Sequence, residues 1–275
     1  MARWMLMVLL FALHGDAWAD LPTWLGEAGL VEVDASAINA WNRESSRAFH
    51  VSVLDASSCI QITISEEAHR ASLSREEGDY EYLGTDNGEW GGELIATGPK
   101  GKRSVLIEDN IRALIPTGDG LLVFTGLPHL GLSRGAVYRI ISPDREPSIE
   151  LVTLLPDAPD VVVPLRSETD LWQVAIIGTS SVMMLSSFSG RVGIEVELIR
   201  QPWWGLYPNS GVSMDGYILF GMRGGVGVVQ SPRFGQVMQP PRYFTLDRPS
   251  KATSDAEAVS ESEPGDLHVC GQEVG

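Results

Sequence analysis

The feature that most constrains this chain is a unit of strand, tight polar turn and strand that recurs along its middle. Three copies read GELIATGPKGKRSVLIE, GAVYRIISPDREPSIELVT and VMMLSSFSGRVGIEVELI. The corresponding strands begin at Glu93, Ala136, Val182 and Val226. The turn that precedes them recurs at Asp119-Gly120, Thr169-Asp170 and Asp215-Gly216. Short apolar runs separated by Gly, Pro, Asn and Asp are typical of β-strands, so the chain is predicted to be all-β.

The spacing of these units selects an architecture. It is about 40–50 residues, the length of one four-stranded propeller blade. We predict a β-propeller-like domain over residues 20–248, with four to five four-stranded blades and N-terminal residues that complete the last blade. The alternative is a β-sandwich of unrelated hairpins, whose turns also come every 8–12 residues or so. Recurrence of the same turn at the same place in each unit favours the propeller.

The two ends of the chain differ from the repeats. Residues 1–19 combine Arg3, an apolar run and the small residues of Ala17-Trp18-Ala19, as a secretory signal peptide does. The apolar run is too short for a membrane anchor, so we expect cleavage before Asp20 and a periplasmic or secreted protein. Residues 249–275 are rich in Ser, Ala, Glu and Asp, which predicts a disordered acidic tail. The polar segment Glu66–Asp79 is predicted to be a loop.

Charge and cysteine content limit the partners and the chemistry. The formal net charge is −16, which argues against nucleic acid and against insertion into or binding to an anionic membrane. Two cysteines, Cys59 and Cys270, would stand in an oxidising compartment. A disulfide between them would tie the first strands to the tail and close a very long loop. The sequence leaves this open against two unpaired thiols.

Three runs of the sequence carry a family resemblance. GEWGGEL, GLPHLGLSRGAVYRI and WWGLYPNSGVSMDGYILFGMRGGV lie between Gly88 and Val229. With their DG turns and apolar strands, they resemble blades of the gluconolactonase-like, NHL-type and sensor propellers. They are also similar to a family of uncharacterised exported bacterial proteins. The resemblance implies a propeller fold and carries no specific chemistry, because one fold hosts many functions.

The loops of a four-stranded blade alternate between two faces, and the unusual residues fall on one of them. The loops after the second strands and between blades carry Trp90, His129, Arg134, Trp203, Trp204, Tyr207, Asn209 and Arg223. The opposite face receives ordinary turn formers. Aromatic and basic side chains on scaffolded loops are typical of binding sites. For each residue alone, packing between blades is the favoured explanation, and it is their clustering that predicts a ligand-binding face.

Two classes of function follow. One is an exported, non-catalytic module that binds a protein, a glycan or a small ligand on the Trp-rich face without a cofactor. The other, implied by the lactonase-like propellers, is a metal-dependent hydrolase or lyase. For that class Glu93, Asp160 and Asn209 are the candidate oxygen ligands of Ca²⁺. No nucleophile elbow, His/Cys metal spacing or phosphate loop is present in the sequence, so whether the protein is an enzyme stays open.

Overall fold

The structure is a computed structural model that describes residues 20–34, 47–54, 59–66, 73–129, 132–168, 171–188, 191–198, 207–231, 238–246 and 266–270. These residues are all-β apart from one α-helix, α1 (Asp20–Glu27), and two short 3-10 turns, Gly88–Trp90 and Pro99–Gly101. No helix among them is both long and apolar enough to span a bilayer. The predicted signal peptide and the Trp203-Trp204 pair lie outside the described residues.

Twenty strands form five antiparallel sheets in the described part of the chain. Sheet 1 contains β2 (Ala48–Val53), β3 (Cys59–Ser65) and β20 (Leu267–Cys270). Sheet 2 contains β4 (Leu73–Glu77), β5 (Tyr80–Gly84), β6 (Leu94–Thr97) and β7 (Arg103–Ile107). Sheet 3 contains β8 (Ile111–Thr117), β9 (Gly120–His129), β10 (Leu132–Ile141) and β11 (Ser148–Leu155).

Sheet 4 contains β12 (Pro159–Glu168), β13 (Leu171–Gly178), β14 (Ser181–Phe188) and β15 (Arg191–Leu198). Sheet 5 contains β16 (Ser210–Met214), β17 (Tyr217–Met222), β18 (Gly225–Gln230), β19 (Arg242–Leu246) and β1 (Leu30–Val33). Sheets 2, 3 and 4 are four-stranded meanders, each made from consecutive strands. This confirms the all-β prediction and its repeated four-stranded unit. The arrangement is compatible with propeller blades.

Strands from the two ends of the chain complete two of the sheets. N-terminal β1 pairs with β19 at the edge of sheet 5, as expected for residues that complete the last unit. C-terminal β20 pairs with β3, with Cys270 opposite Cys59 in the register. Cys59 is disulfide-bonded, and Cys270 is the chain's other cysteine. Directly opposed residues of an antiparallel pair have Cα atoms about 4.5–5.5 Å apart, a separation that a disulfide spans.

The core lies between the sheets. Four buried apolar clusters join sheet 2 to sheet 3, sheet 3 to sheet 4, sheet 4 to sheet 5, and sheet 5 back to sheet 1. In β9, Leu122 and Phe124 belong to one cluster while Leu121 and Val123 belong to the next. Because successive side chains of a strand point to opposite faces, a strand covered on both sides needs a continuous apolar run. Residues 121–124 of β9 form such an apolar run.

Two sequence predictions are wrong in places. The predicted loop over residues 66–79 contains β4, a strand at the edge of sheet 2. Its residues are at most half-buried, and Arg75 pairs with Glu77 at 2.8 Å, so the charges of this edge strand keep their access to water. The predicted disordered tail contains β20, and Asp266 just before it accepts a hydrogen bond from the Gln61 amide at 2.6 Å. The polar composition of the tail does not favour a strand, but residues 267–270 form one because they pair with β3.

Candidate functional site

The loops that connect the strands are divided between the two ends of each sheet. At one end lie the loops after the second strands and the connections between sheets, and we call this end the cavity face. Among the described residues the cavity face comprises 85–92, 108–110, 126–135, 156–160, 178–181, 207–210 and 222–224. The other end carries the hairpin turns after the first and third strands, which we call the turn face. The predicted assignment of the loops to two faces therefore agrees with the observed strand order.

A cavity of about 620 Å³ opens among the loops of the cavity face. Its polar wall comes from sheets 2, 3, 4 and 5, and consists of Thr85, Asp86, Asn87, Arg112, Asp160 and Asn209. Leu73, Leu83, Ile111 and Pro208 contribute apolar surface. The volume lies within the range of about 300–1,000 Å³ that small-molecule pockets have. A cavity where separate sheets contribute polar groups is the usual setting for recognition of a ligand.

A buried ion pair stands in the cavity wall. Nη1 of Arg112 lies 2.8 Å from Oδ2 of Asp86, and the two side chains are 5% and 10% exposed. Nε of Arg112 donates to the carbonyl oxygen of Gly126 at 2.9 Å. The guanidinium therefore connects sheet 2, β8 and the base of the β9–β10 hairpin. Because a planar guanidinium donates in several fixed directions, it holds these three segments in one geometry.

A second buried carboxylate, Asp157, fastens the connection between sheets 3 and 4. It is 2% exposed and accepts hydrogen bonds from the hydroxyls of Ser133, Ser180 and Ser181 and from the main-chain N–H groups of Ala158 and Ser180. The Ser133 hydroxyl also accepts from the N–H of Ala158 at 2.8 Å. A buried charge is tolerated only when it is this fully bonded. Asp157 is thus a structural anchor of the cavity face.

Sequence reasoning singled out Asp160 and missed Asp157. Ser133 lies in the run GLSRG, which matches the nucleophile elbow G-x-S-x-G only in its letters. The structure gives Ser133 a different role, since its hydroxyl is bonded to Asp157 and its backbone is in strand β10. The available signal was the position of Asp157 two residues before the first strand of sheet 4, close to the place that Asn110 and Asn209 occupy directly before the first strands of two other sheets.

Two of the aromatic residues predicted on this face, Trp90 and Tyr207, are described by the structure and lie close in sequence to cavity-lining residues. Trp90, 85% exposed, ends the 3-10 turn that follows the cavity residues Asp86 and Asn87. Tyr207, 57% exposed, directly precedes the cavity residues Pro208 and Asn209. The two rings are therefore adjacent in sequence to two different groups of lining residues.

The three basic residues predicted on the cavity face are His129, Arg134 and Arg223. The guanidinium carbon of Arg223 lies 4.9 Å from the centre of the Tyr207 ring, a cation–π distance. Nε2 of His129 lies 3.5 Å from Oε2 of Glu89, the neighbour of Trp90. Arg134 is exposed on β10, near the end of the β9–β10 hairpin, where Leu132 is 77% exposed. The structure thus groups His129 with the Trp90 turn and Arg223 with Tyr207.

The candidate metal ligands are not all brought together. Asp160 and Asn209 line the same cavity, while Glu93 is not among the described residues that line it. The backbone of Glu93 is bonded to Thr85, whose Oγ1 accepts from the Glu93 N–H at 3.0 Å. No group of three or more His, Cys, Asp or Glu side chains suited to a metal occurs in the part of the chain that the structure describes. Ca²⁺ takes about six to eight oxygens, so this donor set does not fit it.

Comparison with known proteins adds no family. No family model matches the chain, and no curated protein matches it either. The fold and the geometry of the cavity face are therefore the basis for an assignment of function.

Proposed function

We propose that this chain is an exported β-propeller-like binding protein whose cavity face holds a polar ligand. Four core clusters between successive sheets, one of them between the last sheet and the first, support the propeller-like arrangement. Completion of sheets 1 and 5 by strands from opposite chain ends supports it too. The proposed ligand is a glycan or small molecule, with a protein segment as a further possibility, and no catalytic step or cofactor is invoked.

One observation carries the binding proposal. The cavity of about 620 Å³ is walled by polar groups from four sheets and is bordered in sequence by Trp90 and Tyr207. Trp90 is 85% exposed, and large aromatic side chains commonly anchor recognition surfaces. Asp157 and the Arg112–Asp86 pair hold the loops that frame this site. Loops fixed in this way bind without paying a large ordering cost.

The experiment compares two exposed aromatic residues on opposite faces. Trp90 stands on the cavity face, and Phe188, 68% exposed, stands at the end of β14 on the turn face. The mature chain, starting at Asp20, is screened against immobilised glycans, peptides and a small-molecule library, and affinities are measured by calorimetry. Trp90→Ala is expected to weaken the ligand by about 2 kcal/mol, roughly thirtyfold, while Phe188→Ala leaves the affinity unchanged. Equal effects of both substitutions would rule out the cavity face as the site.

A metal-dependent hydrolase or lyase is the second candidate, since Asp160 and Asn209 do face one cavity. The Arg112 guanidinium in the same wall argues against a metal site. Its fixed positive charge repels a divalent metal ion, and it is already paired with the Asp86 carboxylate. Calorimetric titration of Ca²⁺ into chelator-treated protein separates the candidates. Tight binding that disappears in Asp160→Asn would move the assignment to the metal enzyme.

A further inference from the structure

The C-terminal strand β20 is a short edge strand with few non-covalent contacts. It is four residues long, and among the described strands it pairs only with β3. Asp266 and His268 are exposed, and Leu267 is partly buried against the core cluster between sheets 5 and 1, beside helix α1. The hydrogen bond from Gln61 to Asp266 is exposed to water. A strand with one neighbour and little buried surface is only marginally stable by itself.

The N-terminal edge strand β1 has the same length and is held differently. It pairs with β19 over all four residues. Leu30 is 2% exposed and belongs to the same core cluster, and Arg242 binds both carboxylate oxygens of Glu32. Leu25 of the preceding helix α1 is 0% exposed and belongs to this cluster as well. Buried apolar side chains and an ion pair therefore fix β1 without a covalent bond.

A disulfide takes the place of such contacts at β20. Cys59 is disulfide-bonded, and the chain's only other cysteine, Cys270, lies opposite it in the register. The cross-link keeps the two Cα atoms within about 4.4–6.8 Å of each other. Without it, β20 is connected to β19 by residues 247–266, a length of chain that spans tens of ångströms. Cys59 is partly exposed, and disulfides that a thiol can reach are the ones that are reduced most readily.

We propose that the Cys59–Cys270 disulfide is a redox switch that controls whether β20 is attached to sheet 1, and that a dithiol is the reductant. One sulfur of the dithiol attacks a sulfur of the disulfide, and the second sulfur then displaces the mixed disulfide. Two electrons and two protons pass to the protein, which is left with two cysteine thiols, while the dithiol becomes a disulfide. The reduced chain then releases β20.

Release of β20 changes the surface of sheet 1. The backbone groups of residues 59–62 that face β20 lose their partners, and the core cluster loses its contact with Leu267. An unpaired strand edge of this kind accepts a strand from another chain. None of the described residues of β20 lines the cavity, so the switch acts on sheet 1 and is independent of the proposed binding site.

Hydrogen exchange followed by mass spectrometry tests the switch. The mature chain is labelled in its oxidised form and after treatment with dithiothreitol. Because the chain contains only two cysteines, the reductant acts on this disulfide alone. We expect reduction to speed exchange in β20 at least about tenfold more than in β1 and β18 of the same sample. Removal of dithiothreitol and addition of oxidised glutathione should restore slow exchange in β20.

A double variant is the matched control. Cys59→Ser combined with Cys270→Ser should show fast exchange in β20 both with and without dithiothreitol. If β20 in the reduced protein stays as protected as in the oxidised protein, its pairing does not depend on the disulfide and the proposal is overturned. Acceleration by the same factor in β20, β1 and β18 overturns it as well, because the disulfide then stabilises the whole fold and does not control a single strand.

Discussion

The cavity face and the turn face are held together by different interactions. On the cavity face the loops are fixed by buried polar side chains: Asn110, Asp157, Ser181 and Ser210 are between 0% and 8% exposed. The hairpin turns of the turn face have positive φ at Lys100, Ser142 and Asp215, whereas among the described non-glycine residues of the cavity face only Tyr207 does. Burying polar groups is costly unless each is bonded, so a chain concentrates them where loop geometry matters. The comparison supports the proposal that the ligand binds on the cavity face.

The largest expected effect comes from the anchor of the cavity face. Asp157→Ala leaves three hydroxyls and a main-chain N–H without their shared acceptor, and we expect a loss of about 4 kcal/mol in unfolding free energy. Urea denaturation measures it. Its turn-face control, Asp119→Ala, removes a partly exposed carboxylate 3.7 Å from Arg139 and is expected to cost less than about 1 kcal/mol. Similar losses of unfolding free energy in the two variants would show that the two faces do not differ in how much their polar side chains stabilise them.

The disulfide gives the next largest effect. Cys59 begins β3, directly after the turn-face connection from β2, and opposes Cys270 of β20. Because a cross-link mainly restricts the unfolded chain, Cys59→Ser is expected to lower the unfolding free energy by about 3 kcal/mol while ligand affinity at low temperature is kept. Thermal unfolding and calorimetry of the same sample test both parts. If Cys59→Ser lowers ligand affinity and leaves stability unchanged, the claim that the disulfide stabilises the fold without contributing to binding is wrong.

Tyr82 gives a smaller, pH-dependent effect on the turn face. Its hydroxyl donates to the carbonyl of Pro143 at 2.8 Å, in the hairpin turn of sheet 3. Burial, and then the charges of Tyr80, Glu77 and Asp144, raise the pKa of Tyr82 from 10.0 to about 12. The neutral phenol is therefore favoured in the folded state, and its contribution is complete below pH 10 and lost as the pH rises through about 12.

We expect Tyr82→Phe to cost about 1 kcal/mol near neutral pH, the value of one hydrogen bond. The difference between wild type and variant should shrink when urea denaturation is repeated above pH 10. A difference that stays constant from neutral pH to pH 11 would show that the phenol is not stabilised by its bond to the turn.

The smallest effect is at the N-terminal strand. Arg242 binds both carboxylate oxygens of Glu32, at 2.7 and 2.5 Å, across the β1–β19 pair. The hydrogen bond from Arg242 lowers the pKa of Glu32 below its ordinary 4.5. Its stabilisation is therefore present above pH 4.5 and lost as the pH falls through the depressed pKa.

Both of these side chains are 47% exposed, so Glu32→Gln should cost only about 0.5 kcal/mol near pH 7, and less in high salt. Urea denaturation at two salt concentrations measures the difference. A cost that does not respond to salt would indicate that Glu32 acts through packing of β1 and not through its charge.

The turn face could be predicted from the sequence better than the cavity face. Asp119-Gly120 and Asp215-Gly216 are local signals, since an aspartate–glycine pair favours a tight turn whatever surrounds it. These turns set the strand order, and with it the division of loops between the faces. By contrast, β4 and β20 were missed because edge strands gain order from their partners and not from their own composition.

The anchors of the cavity face were not predictable from local pattern. Asp157 is buried by Ser133, Ser180 and Ser181, which come from two sheets and are 24, 23 and 24 residues away. The Asp86–Arg112 pair likewise joins segments of different sheets. From sequence alone, a polar residue in a loop is predicted to be exposed to solvent. Its burial depends on contacts with distant residues, which the local sequence does not show. Trp90 and Tyr207 could be nominated from the sequence because aromatic side chains of their type are unusual in loops.

The most direct measurement is a crystal structure of the mature chain with the tightest ligand from the binding screen. The account predicts density for that ligand in the cavity of the cavity face, in contact with the lining residues Asp160 and Asn209. Density on the turn face beside Phe188, or a metal ion bound by Asp160 in place of an organic ligand, would contradict it.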